Sequence, residues 1–120
     1  MWEKGGEAMY LRVMTLDGKR VSVAQDELGV FEELKSFAFV PHTMTVEEYI
    51  QEMVHSAWTF YGKGVQLTGD TLAEKAKSAY RQFVDFGFLI EISKEEALEH
   101  FGLTQADADK MDIPGLRSYE

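Results

Sequence analysis

The chain contains no cysteine in 120 residues. That excludes disulfide frameworks, thiolate metal sites and thiol nucleophiles together. It also fits a reducing, cytoplasmic setting. No apolar run approaches the roughly 18 residues of a membrane span. The N-terminus lacks the continuous apolar segment of a secretory signal. Basic residues are outnumbered, with 12 Lys and Arg against 21 Asp and Glu, for a formal charge of −9. A nucleic-acid binder usually carries the opposite excess, because neutralising phosphates supplies most of its affinity. Direct nucleic-acid binding is therefore not expected.

Recognisable catalytic patterns are also missing. There is no Gly-x-Ser-x-Gly, no phosphate loop and no dinucleotide fingerprint. Gly62-Lys63-Gly64 resembles a phosphate turn only superficially, since no strand precedes it and no Lys-Ser/Thr follows; a helix cap explains it better. The histidines are three, His42, His55 and His100, each in a different segment. Glu52 and His55 have the Glu-x-x-His spacing of di-iron bundles, but such a site needs a second copy of that pair and further inward glutamates. No catalytic residue, metal site or cofactor is assigned.

What is present is a core. Hydrophobic residues make up 45% of the chain, enough to fold without a disulfide or a structural metal. Two amphipathic stretches dominate, from about Thr45 to Tyr61 and from about Asp70 to Phe86. In the first, Val46, Ile50, Met53, Ala57 and Tyr61 cluster at the helical period, flanked by Tyr49, Val54, Trp58 and Phe60. Glu48, Glu52, His55 and Thr59 fall opposite. In the second, Leu72, Ala76, Ala79, Tyr80 and Phe83 share one face. Thr45 with Glu48, and Ser93 with Glu96, have capping-box spacing. Asp26 can cap a shorter helix carrying Leu28, Phe31 and Leu34, and Thr104 another through Met111.

Strands are expected on either side of these helices. Tyr10 to Ala24 reads as a hairpin around Asp17-Gly18. A three-residue loop opposes Val13 with Val21 and Leu11 with Val23, which yields one apolar face and is the expected register. Phe37 to Val40, stopped by Pro41, reads as a third strand. Phe88 to Ile92 reads as a fourth, with Phe88, Ile90 and Ile92 on one face. The expected class is α+β: a small, mainly antiparallel sheet covered on one face by two long amphipathic helices.

The expected organisation is one globular domain over residues 9–113, with a frayed tail over 114–120. Two readings of residues 1–8 stand side by side. One is a disordered leader. The other is a mis-assigned start, because Lys4-Gly5-Gly6-Glu7 can be encoded by AAA GGA GGN GAA, which resembles a bacterial ribosome-binding sequence a short spacer before Met9.

Function is approached through charge and aromatics. Ser93 to Glu120 holds seven acidic and three basic residues. Glu95, Glu96, Glu99, Asp107 and Asp109 are the candidate partner-binding residues, forming a carboxylate ridge for a basic protein partner. Ala97 to Ile113 faintly resembles a helix-turn-helix, but Asp107 and Asp109 would repel phosphates where a recognition helix reads DNA. The expectation is a small acidic binding protein without catalysis, encoded by a bacterial, phage or mobile-element genome, engaging a basic surface of a host protein. The alternative is a module that binds or sequesters a small ligand in an aromatic helix–sheet pocket, with Trp58, Tyr61 and Tyr80 as its contacts.

Overall fold

The computed structural model of the chain describes residues 10–119. The expected leader and the start at Met9 lie outside the described residues. Three antiparallel strands, β1 (Leu11–Thr15), β2 (Val21–Ala24) and β3 (Leu89–Glu91), form a sheet in the order β2-β1-β3. The helices are α1 (Glu27–Phe37), α2 (Val46–Tyr61), α3 (Leu72–Asp85), α4 (Lys94–Phe101) and α5 (Gln105–Met111). The class is α+β, as the pattern of elements predicts.

Hydrogen-bonded starts set the helix boundaries. Thr45, Thr71, Ser93 and Thr104 each accept from the backbone N–H three residues on, and the acid at that position accepts from the cap's own N–H. Two orphan donors are thus satisfied at each start. At α1, Asp26 Oδ1 accepts from Gly29 N at 2.7 Å. Gly29 suits a tight packing point: a Cβ there would stand 3.1 Å from Ala24 Cβ. Gly62 closes α2 in the left-handed region, at φ 66°, and its N–H donates to Trp58 O at 3.0 Å. The Gly62-Lys63-Gly64 turn is therefore a helix end.

The sheet is buried on both faces. Leu11, Val13, Ala24 and Leu89 join Phe31, Ile50, Ala57, Ala76, Ala79 and Phe83 in one core, under α1, α2 and α3. Met14, Val21, Val23 and Ile92 join Ala97, Leu98, Ala108 and Leu116 in a second core, under α4, α5 and the C-terminal segment. The two long helices do cover one face, and a second, shorter helical layer covers the other.

That second layer explains why the expected hairpin register is wrong. β1 pairs with β2 through Leu11↔Ala24, Val13↔Ser22 and Met14↔Val21. Register follows hydrophobic pattern only where one face alone is buried. Here Val21 and Val23 belong to the second core, so alternation cannot choose between registers. The turn closes at Thr15, whose N–H donates to Arg20 O at 2.9 Å, and Gly18 takes φ 75° within it. Ser22 thereby becomes fully buried, with no hydrogen-bond partner for its hydroxyl among the described residues.

A further expectation is corrected. Phe37 to Val40 is not a strand: Phe37 is the last residue of α1, and Phe39 is fully exposed. The α1 pattern of Val30, Phe31 and Leu34 carries Phe37 into the helix. The β2 edge is meanwhile closed to a new strand, because Glu33 Oε1 accepts from Val23 N at 2.9 Å. Residues 114–119 are held by packing and hydrogen bonds. Leu116 is buried, Arg12 Nε donates to Gly115 O at 2.8 Å, and Gln105 Nε2 donates to Leu116 O at 2.7 Å.

Candidate binding surfaces

The last turn of α2 gathers three exposed aromatics. Trp58, Phe60 and Tyr61 are 64%, 74% and 52% exposed. The reason is length. Ile50 and Ala57 are buried against α1 and α3, but the final turn runs past that support. Phe88 meets it, its ring 5.5 Å from that of Tyr61. These aromatics follow the helical period. Periodicity identifies the inward face of a helix but not how far its neighbours extend.

Beside this turn, a cleft of about 420 Å³ lies between α2 and the β1–β2 turn. Leu16, Val40, Met44, Met53 and Phe88 supply apolar walls. Tyr49 and Ser56 also line it, and neither hydroxyl makes a hydrogen bond among the described residues. Burial pushes the Tyr49 hydroxyl above the usual tyrosine pKa, with the Arg20 charge opposing. Tyr49, Met53, Ser56 and Phe60 stand four, three and four residues apart, so they share one flank of α2. The spacing is visible in the sequence, where Met53 falls on the expected core stripe and Tyr49 and Phe60 flank it, but nothing there singles out Ser56.

The three expected ligand contacts do not converge. Tyr61 lines this cleft, Trp58 does not, and Tyr80 is buried elsewhere in the core. Tyr80 Oη donates to Glu91 Oε2 at 2.6 Å. Its pKa is strongly raised, first by burial and then by that carboxylate. Phe83 packs edge-on against Phe31 and Phe86, with ring centroids 6.0 Å apart in each pair. The aromatic interior is filled by its own side chains.

The expected carboxylate ridge is also divided. Glu96 and Asp107 fold back onto the N-termini of α4 and α5 as capping residues. Asp109 accepts from Ser118 N at 2.6 Å and from Ser118 Oγ at 2.8 Å, which holds its pKa below the usual range. Asp112 takes Arg117 Nη1 at 2.7 Å and the Tyr119 hydroxyl. The Glu95 and Glu99 carboxylates remain exposed on α4, one turn apart, with no hydrogen bond or ion pair among the described residues. The acids that look like a surface in sequence are largely fasteners in the fold.

His55 is exposed on the outer side of α2, with Nε2 3.4 Å from Thr59 Oγ1. Among the described residues, no group of three His, Asp or Glu side chains stands close enough to hold a metal ion. No helix among them is long and apolar enough to cross a membrane. No protein-family model, curated protein or solved structure matches the chain.

Proposed function

We infer that this chain is a non-catalytic binding protein of bacterial, phage or mobile-element origin, and that it engages a basic surface of a host protein. The observation that carries this reading is the last turn of α2, where Trp58, Phe60 and Tyr61 stand exposed together. Large aromatics of this kind are the usual energetic anchors of an interface. They also cost solubility when left in water, so a chain that keeps three in one turn has a use for them. The net charge of −9 supplies the attraction to a basic partner. Exposed charges act over about 8 Å at physiological ionic strength, so they steer encounter more than they hold the complex. Glu95 and Glu99 are the members of the expected ridge free to do this.

Comparison of wild type with two double variants tests the reading. In capture from lysate of the natural host, Trp58→Ser/Phe60→Ser should lose the partner through faster dissociation. Glu95→Lys/Glu99→Lys should slow association, and added salt should do the same. A partner kept by the aromatic variant and bound without salt dependence would remove the basis of the proposal.

A second reading is favoured by the cleft beside α2. The unpartnered Tyr49 and Ser56 hydroxyls, set among apolar walls, suit a small apolar ligand with one or two polar groups. Loss of a co-purifying small molecule on Tyr49→Phe/Ser56→Ala substitution would support it over the first.

A further inference from the structure

Two adjoining depressions lie on the opposite side of the hairpin from the α2 cleft. One, of about 430 Å³, is walled by Tyr10, Val23, Ile113, Pro114 and Leu116. The other, of about 310 Å³, is walled by Lys19, Arg20 and His100. Val21, Phe37 and Phe101 line both, so the two form one groove. Its lips are the last residue of α1 and the last residue of α4, Phe37 and Phe101, each 43% exposed. Its volume falls within the ~300–1,000 Å³ of small-molecule sites.

The groove is polarised along its length. The inner part is apolar, with one carboxylate at its wall, Glu33, already engaged by the N–H of Val23. The outer part is lined by Lys19 and Arg20 from the end of the hairpin turn and by His100 from α4, and the Arg20 charge is also felt across the hairpin at Tyr49. Lys19 and Arg20 make no ion pair among the described residues. Asp17, on the same loop, accepts from the Thr15 hydroxyl and the Lys19 N–H, and its carboxylate also feels the Lys19 and Arg20 charges. A cationic mouth on an apolar slot is unexpected on a chain of net charge −9. It runs against the general field of the molecule, so it selects for a ligand that the rest of the surface repels.

We propose that this groove binds an anionic amphiphile: an apolar chain lies between Phe37 and Phe101 against Val21 and Leu116, and its negative head meets Lys19, Arg20 and His100. Apolar burial supplies affinity and the cationic mouth supplies orientation, since charge-assisted hydrogen bonds to a carboxylate are the stronger class. The site is separate from the α2 surface proposed above and does not depend on it.

Titration of the full chain with dodecanoate and with dodecanol, below their aggregation concentrations, separates head from tail. Calorimetry should show saturable binding of dodecanoate at one molecule per chain, and dodecanol should bind at least about tenfold more weakly. Lys19→Gln/Arg20→Gln should weaken dodecanoate by about tenfold and leave dodecanol unchanged. Phe37→Ser/Phe101→Ser, which alters only exposed lips, should weaken both ligands. Amide shifts at Val21 and Phe101 should accompany binding. Equal affinity for acid and alcohol, non-saturable uptake, or dodecanoate binding indifferent to both double variants would overturn the proposal. Circular dichroism of each variant confirms that a loss reflects the site and not the fold.

Discussion

At the scale of single residues, Tyr80 ties stability to pH. Its hydroxyl is buried and donates to Glu91, so its folded-state pKa lies above the unfolded value of about 10. In the folded protein the proton is then held at pH values where the unfolded chain has released it. The associated stability is fully present below about pH 10 and falls as pH rises beyond it. Urea unfolding at about pH 8 and about pH 11 should show a larger alkaline loss for wild type than for Tyr80→Phe; equal losses would mean that the hydroxyl is not protected. Ser22 makes the opposite case. Its hydroxyl is buried and unpartnered, so Ser22→Ala should raise stability by about 1 kcal/mol, the cost of a buried polar group without a hydrogen bond. Phe83, fully buried between Phe31 and Phe86, should cost about 3–5 kcal/mol when replaced by alanine. His55→Gln, on the exposed side of α2, should change stability by no more than about 0.5 kcal/mol.

At the scale of elements, the C-terminal segment behaves as a strap across the second core. Gly115 adopts φ 85°, and a Cβ there would stand 2.4 Å from Val23 Cγ1 and 2.9 Å from Tyr10 Cδ2. Gly115→Ala combines backbone strain with overpacking and should destabilise by about 1–3 kcal/mol. Hydrogen exchange should report the loss first in α4 and α5, which share the core that Leu116 closes. Unchanged protection in both helices would show that the strap is not fastened. What could be read from sequence divides along physical lines. Local chemistry was legible: Thr45 with Glu48 and Ser93 with Glu96 cap as their spacing implies, and the Ala76–Ala79–Phe83 stripe is buried. Relations between distant segments were not. Nothing near the hairpin announces that α4 and α5 will cover its outer face, so its register went the wrong way. Nothing near Pro114 announces Arg12, whose guanidinium holds the segment down. Candidate site residues suffered similarly: Trp58 and Phe60 follow the helical period, yet their exposure depends on where α2's neighbours stop.

At the scale of the whole molecule, the chain combines a formal charge of −9 with a few exposed aromatics. Four of its acids, Glu48, Glu74, Glu96 and Asp107, also complete helix N-termini. Hydrogen bonds from backbone N–H groups hold the Glu74 and Asp107 pKa values below the usual range. A depressed carboxylate contributes stability above its unfolded pKa and loses it as pH falls through the folded value. Acid unfolding should therefore begin below about pH 4 and should be advanced by Glu74→Gln. The contact surface proposed for a partner is the aromatic turn of α2, and site-specific photo-crosslinking in the natural host tests it most directly. A photoreactive phenylalanine analogue replaces Phe60 in one chain, and exposed Lys77 on α3 in a control chain. The account predicts one dominant crosslinked basic protein from position 60, reduced by raised salt and absent from position 77. Equal labelling from both positions, or none above background from position 60, would contradict it.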